Sequence, residues 1–532
     1  MNKRVTLHPF LFAILPILFL YAHNISELSL PELLMPLAVA GLSSLVLWSL
    51  LSLILRDKVR AALLSSLFWL WFFAGGHLYR LVAPPRAADS ATSWASDFLI
   101  VYCALLLAGA ALLIAQRRRG PGLSSALNII AVVVFAWNAL VVSSYEIQRL
   151  LAHRRIRQAE AFDPMHTARV RVRPNIYYII LDGYGRADVL RDIYHYDNRE
   201  FLQYLTRKGF HVVRNARANY CQTLSSLASS LNLHYLDDLA RRLGAASTDR
   251  DPLRKTLERN RLFEFLRRHG YRIVAFASGY SGTEIRAADI YINKVSGLTE
   301  FQSAIFDATP LSLIFPARPP ERGLTSTFTG TILYTFEHLA DTTKLKPPIF
   351  VFAHILCPHP PFVFDRNGRV VMDRKRFTLC DGQDFPGTRA QYVAGYKEQL
   401  LFVNHKTVAA IDEILARARW PTVIILQSDH GPGSRLNWGS AERTDLRERL
   451  AMLMACYLPG AGDLRLEDDL SSVNVFRVVL NSYFGTRLRM LPNKSYYSPI
   501  KHPYWFVRVT DDVLAGARKR GPLRARPANT SP

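Results

Sequence analysis

Five apolar runs crowd the first 150 residues, at approximately 7–23, 33–55, 61–82, 97–116 and 123–145. A helix needs roughly 20 mostly apolar residues to cross the hydrocarbon core of a bilayer. The runs therefore predict a membrane domain of five transmembrane helices over residues 1–150. A cleaved signal peptide fits poorly, because the runs repeat and no small-residue cleavage site is evident. The buried helices of a soluble all-α protein are the other alternative, and the connecting charges speak against them. Lys3 and Arg4 precede the first run, Arg56, Lys58 and Arg60 separate the second from the third, and Arg117, Arg118 and Arg119 separate the fourth from the fifth. These positions fall on one side of a membrane, which the positive-inside rule makes cytoplasmic. The loop at 23–33 has two Glu and no Lys or Arg, and the loop at 83–97 carries one Arg and two Asp. An odd number of spans then puts everything after residue 146 on the opposite, extracytoplasmic face.

The rest of the chain is basic. A formal charge of +23, most of it beyond residue 150, favours an anionic partner such as a phospholipid headgroup or a phosphorylated or sulfated glycan. No zinc-finger spacing, RNA-binding sheet signature or aromatic-basic interleaving accompanies it, so no nucleic-acid partner is expected. The five cysteines form no C-x-x-C pair, which argues against a redox motif or a structural zinc site. Cys357 and Cys380 could form a disulfide in an oxidising compartment. Residues 151–173 read as a basic linker, and 516–532 as a basic, Pro- and Arg-rich disordered tail.

Between linker and tail, apolar runs alternate with helical patterns. "IYYIIL" at 176–181, "YRIVAFAS", "PPIFVFAHIL", "TVIILQSD" and "LAMLMACYLPG" read as strands, with helices at 196–209, 223–240, 251–269 and 388–417 between them. This pattern predicts an α/β domain over 174–515, its mostly parallel central sheet flanked by helices. Ligands of such sheets bind at the carboxyl ends of the strands. The first run ends in Asp182, the third carries His354 near its end, and the fourth ends in Asp429 and His430 before a Gly-Pro-Gly turn. Side chains adjacent on a strand point to opposite faces, so Asp429 and His430 can converge only if the backbone bends there. Solvated loop residues are the plain alternative for any one of them, whereas three runs ending in oxygen or nitrogen ligands point to a metal site. "ANYCQTLSSLASSLNL" adds Thr223 at the start of a helix of small residues. A hydroxyl there is either a helix cap or a nucleophile whose phosphate or sulfate group faces the free amides of the helix end.

The order Asp182, Thr223, His354 and His359, Asp429 and His430, carried by "IILDGYGR", "YCQTLSSLASSL", "HILCPHPPF" and "QSDHG", resembles the sulfatase-like branch of the alkaline phosphatase superfamily. Five spans followed by an extracytoplasmic domain further resemble membrane-anchored lipoteichoic acid synthases and phosphoethanolamine transferases. The resemblance implies that Asp182, Thr223, Asp429 and His430 bind a divalent metal ion, zinc or manganese. It also implies that Thr223 is the nucleophile and carries a covalent intermediate. The spacing of His354, His359 and Pro361 resembles a transferase segment whose histidines contact substrate or a second metal, so both histidines are expected to bind substrate, His359 ahead of His354, for which a core histidine at a strand end is the alternative. Asp365 and His502 are candidates by type for a second metal, and Lys397, Arg435 and Arg186 for further substrate charge.

Three departures qualify the resemblance. The membrane-bound transferases mostly use Glu as the first ligand where this chain has Asp182. The arylsulfatase motif that yields formylglycine is absent around Cys221. A complete second metal set is not apparent. The expectation is a membrane-anchored enzyme, multi-pass in the inner membrane, that transfers or hydrolyses a phospho- or sulfo-ester group on an envelope lipid or glycan. A periplasmic hydrolase and a catalytically degenerate scaffold are the alternatives, and the oligomeric state is left open.

Overall fold

The computed structural model describes residues 6–25, 28, 30–82, 91–115, 120–157, 173–293, 300–314, 324–371, 378–461 and 466–511. Lys3, Arg4, Arg117 to Arg119, most of the linker and the tail lie outside them. The chain divides into two compact units, one comprising Met1–Ala152 with Gly297–Leu324 and the other His153–Ser296 with Thr325–Pro532.

In the first unit the apolar runs are helices α1 (His8–His23), α2 (Leu30–Leu55), α3 (Lys58–Val82), α4 (Ala91–Ala115) and α5 (Gly120–Arg157). Leu34, Leu42, Leu53 and Ile54 of α2 and Leu107 and Leu112 of α4 remain exposed, a surface suited to hydrocarbon rather than water. Among the described residues four helices are long and apolar enough to cross a membrane, while α1 has 16 residues. At about 1.5 Å per residue, α1 falls a few ångströms short of the roughly 30 Å core. The segment Gly297–Leu324, expected within the α/β domain, belongs to this unit. Its helix Glu300–Asp307 buries Phe301 edge-on against Tyr21 of α1. The end of this helix lies so close to α3 that a Cβ on Gly76 would come within 2.0 Å of the Asp307 carbonyl oxygen. Glycine is the residue that tolerates such an approach.

The second unit is built on a seven-stranded sheet: β1 (Asn175–Leu181), β2 (His211–Val212), β3 (Arg272–Phe276), β4 (Ile290–Ile292), β5 (Ile349–Ile355), β6 (Thr422–Gln427) and β7 (Met454–Tyr457), in the order β2-β7-β6-β1-β5-β3-β4. β6, β1, β5, β3 and β4 run parallel, whereas β7 and β2 join antiparallel at one edge. Helices cover both faces, which is why the central strands are apolar throughout rather than alternating. Ile176, Tyr178 and Ile180 pack with Leu224, Leu227 and Phe476 on one face, and Tyr177, Ile179 and Leu181 with Tyr396, Leu400 and Val403 on the other. Register aligns Ile180 of β1 with His354 of β5 and with Gln427 of β6. Asp182, His354 and Asp429 therefore gather at one end of the three central strands.

Cys357 and Cys380 are both free thiols, which corrects the disulfide expectation. Cys357 is buried in the core cluster that holds Ile355 and Tyr396, whereas Cys380 is exposed beside Thr378. A side chain packed inward just beyond β5 has no path to a partner on the surface.

Candidate active site

Past β6 the chain turns sharply, and Gly431 makes the turn possible. Its N–H donates to the Arg449 carbonyl at 2.7 Å, and a Cβ there would come within 2.1 Å of the Glu448 carbonyl oxygen. The turn brings both Asp429 and His430 over the end of the sheet, and both are buried. Thr223 opens the helix Thr223–Asn232, but Gln222 holds the capping position and its side chain bonds instead to Ser498 and Arg250. The Thr223 hydroxyl is thus not the cap. It lies 3.2 Å from His430 Nε2. Ser225, Ser226, Ala228, Ser229 and Ser230 are buried along this helix. Their small size lets it approach the sheet, where Ser226 Oγ donates to the Asp429 carbonyl at 2.7 Å.

Asp182, Asp429 and His430 each offer a ligand atom within 4.8 Å of the others. His430 Nδ1 pairs with the Gly431 carbonyl at 2.9 Å and must donate to it, which leaves the lone pair on Nε2. Asp429 Oδ2 stands 3.1 Å and Asp182 Oδ1 3.6 Å from that nitrogen. Both oxygens are buried without a hydrogen-bond partner. Two buried carboxylate oxygens converging on a nitrogen lone pair repel one another unless a cation lies among them. Burial and the nearby Arg449 push the His430 pKa down, keeping the imidazole neutral. Burial alone would raise the Asp182 carboxyl, but His359 and the hydrogen bond from His354 outweigh it and hold it well below the usual carboxylate range. This donor set of hard oxygens and one imidazole fits a divalent ion such as zinc or manganese.

The expected substrate histidines occupy different places. His359 lines the cleft with Asp182, Thr223 and His430, and its Nε2 stands 3.6 Å from Asp381. His354 is buried behind Asp182, 3.3 Å from its Oδ2, with Nδ1 held 2.8 Å from Thr283 Oγ1. It is not among the residues lining the cleft and neighbours the Asp182 carboxylate instead. Asp365 is bound up in its own turn by the Asn367 and Arg369 amides. Neither it nor His502 joins a metal-ligand group among the described residues. Arg186 pairs with Asp188, and Arg435 with Asp445. Neither of these arginines, nor Lys397, lines the cleft.

The cleft instead takes its positive charge from Arg250 and Arg449, with Asp381 as the carboxylate beside them. Sequence reasoning missed all three. Asp381 precedes a turn, Arg250 precedes a short helix, and Arg449 lies in the highly charged "TDLRERL", which reads as a solvated surface helix.

The sulfatase family profile matches residues 174–450, and the chain belongs to that family. No curated protein matches it. Among solved structures, the C-terminal periplasmic domain of EptC from Escherichia coli, in complex with Zn, is similar at 13% identity and TM-score 0.41, over 61% of this chain and 87% of that one. The integral membrane lipooligosaccharide phosphoethanolamine transferase A from Neisseria meningitidis is similar at 15% identity and TM-score 0.39, over 89% and 94%. A 2-O GAG sulfatase is similar at 14% identity and TM-score 0.38, over 60% and 72%. As a sulfatase family member with apolar helices able to cross a bilayer, the protein is a membrane-anchored transferase or hydrolase of phosphoesters or sulfate esters.

Proposed function

We propose that the protein transfers a phospho- or sulfo-ester group from an anionic membrane lipid to an envelope acceptor, with Thr223 as nucleophile. The observation that carries this reading is the half-buried Thr223 hydroxyl 3.2 Å from His430 Nε2, the nitrogen on which two carboxylate oxygens without a hydrogen-bond partner among the described residues converge. Asp182, Asp429, His430 and Thr223 would hold the divalent ion. When bound, it supplies positive charge that eases deprotonation of a hydroxyl and neutralises charge developing on the transferred group.

The chain's own groups do the rest. Thr223 Oγ, its proton released to solvent, forms a bond to phosphorus or sulfur while the bond to the leaving oxygen breaks. His359, held toward the cleft by its Nδ1 contact with the Pro360 carbonyl, is the group assigned to protonate that oxygen. An acceptor hydroxyl or amine then attacks the phospho- or sulfo-threonine and gives up its proton, and Thr223 recovers one. Water in the acceptor's place would make the enzyme a hydrolase. Residues 174–515 are assigned as the catalytic domain, extracytoplasmic and tethered through 151–173 to the membrane helices.

The test is turnover of phospholipid vesicles by the full-length, metal-loaded protein. Turnover that needs an added acceptor supports transfer. Release of phosphate or sulfate at the same rate without acceptor contradicts transfer and leaves hydrolysis.

A further inference from the structure

Arg449 is the largest fully buried side chain among the described residues. Arginine is almost never so buried unless it is paired. Its Nε donates to the Cys221 carbonyl at 2.9 Å, two residues before the nucleophile. Nη1 donates to Asp381 Oδ2 at 2.7 Å and to the Gly431 carbonyl at 3.3 Å. Trp438 covers the guanidinium, its ring centroid 5.1 Å away. The planar fork is thereby fixed to the loop before Thr223 and to the turn after His430. Of the five N–H groups of an arginine, two remain, both on Nη2. One points at His430 Nε2 from 3.1 Å, the lone pair assigned above to the cation, and the other has no acceptor among the described residues. The cleft's two carboxylates are also committed, Asp182 to the ligand set and Asp381 to Arg449 and Tyr392.

We infer that Arg449 is the anion-seating residue of this site, its Nη2 edge receiving the oxygens of the phosphate or sulfate group on Thr223 once a cation occupies His430 Nε2. The inference rests on the proposed metal site. A nitrogen lone pair serves one partner, so metal occupancy deprives Arg449 of that acceptor and leaves two charge-assisted donors facing the cleft. Thr223 Oγ1 and Arg449 Nη2 both lie within hydrogen-bond reach of the same nitrogen, so a tetrahedral group on one is beside the other. Asp381 and Trp438 set the direction of the fork, and the metal site decides when it is free.

The experiment is calorimetric titration of the full-length, zinc-loaded protein in detergent with inorganic phosphate and with sulfate, repeated after chelation. Zinc content and thermal melting are measured in parallel. Arg449→Met should weaken anion binding about 30-fold or more with zinc content unchanged. Arg449→Lys, which keeps the charge but not the fork, should weaken it about tenfold. Chelation should erase the difference between wild type and variant. A folded, zinc-holding variant that binds either anion within twofold of wild type would overturn the inference. So would loss of zinc in both variants, which would make Arg449 a support of the metal site. Should Arg449→Met fail to fold, the lysine variant decides alone. Zinc-loaded wild type that binds neither anion overturns the reading of the site itself, a result distinct from any effect of Arg449.

Discussion

Asp182, Asp429 and His430 come together because each lies where a buried strand stops. A strand buried on both faces tolerates no free carboxylate along its length, so the first polar residue past the apolar run marks the sheet's functional edge. That is why these three were legible in the sequence, and Thr223 with them, at the head of a helix too rich in small residues for ordinary packing. Arg449 and Asp381 were not legible. Their burial comes from pairing across 68 positions of chain, and pairing leaves no periodic trace. Two predictions belong at this scale. Thr223→Ala should lower turnover about 10³-fold or more while retaining metal through the other three ligands. Asp429→Ala should lose most of the bound metal by elemental analysis.

Elements were legible as types but less so as lengths. The helical pattern at 251–269 is two helices, Asp251–Glu258 and Arg261–Arg268, because Asn260 caps the second by accepting from the Phe263 amide. The pattern at 223–240 breaks where Leu233 enters the left-handed region, at a φ of 59°. A hydrophobic period runs straight through such caps. The run ending in "CYLPG" is β7, which pairs antiparallel with both β6 and β2, and apolar content alone does not encode direction. Close approach of the helix Thr223–Asn232 to the end of β6 depends on Ser226. Ser226→Val deletes its hydrogen bond to Asp429 and overpacks the contact, so it should destabilise the protein by about 1–3 kcal/mol and reduce turnover. Denaturant unfolding and rate measurement check both effects.

The turn that aims His430 is pinned from the short helix Leu446–Leu450. Glu448 there accepts from the Ser434 and Arg435 amides and from Tyr194. Burial pushes its carboxyl up to about 7, against a usual 4.5. Between those values the folded state keeps a proton that the unfolded chain has released. The contribution is therefore fully present below about pH 4.5 and lost as the pH rises to about 7. Glu448→Gln removes this slope. The stability of wild type relative to the variant should fall by about 2–3 kcal/mol across that window, measured by unfolding at a series of pH values. An unchanging difference would contradict the assignment.

At the scale of the molecule, composition announced a membrane unit and an α/β unit, and both are present. The return of Gly297–Leu324 to the first unit was hidden, because its helices are too short to register as spans. Topology turns on α1, the one short apolar helix among the described residues. If it crosses, Arg443→Cys, on an exposed loop of the second unit and in a background carrying Cys103→Ser and Cys380→Ser to remove the exposed native thiols, should react with a membrane-impermeant thiol reagent applied outside intact spheroplasts. Protection until lysis would place that unit in the cytoplasm and contradict the proposed localisation.

The central claim, a threonine oxygen that attacks beside a metal site built by Asp182, Asp429 and His430, is tested most directly by mass spectrometry of the full-length protein after incubation with mixed bacterial phospholipids. A mass increase is expected on the peptide containing Thr223, equal to the transferred phospho- or sulfo-group, that disappears in Thr223→Ala and on chelation. Efficient turnover with an unmodified Thr223, or an adduct on another residue that survives Thr223→Ala, would contradict it.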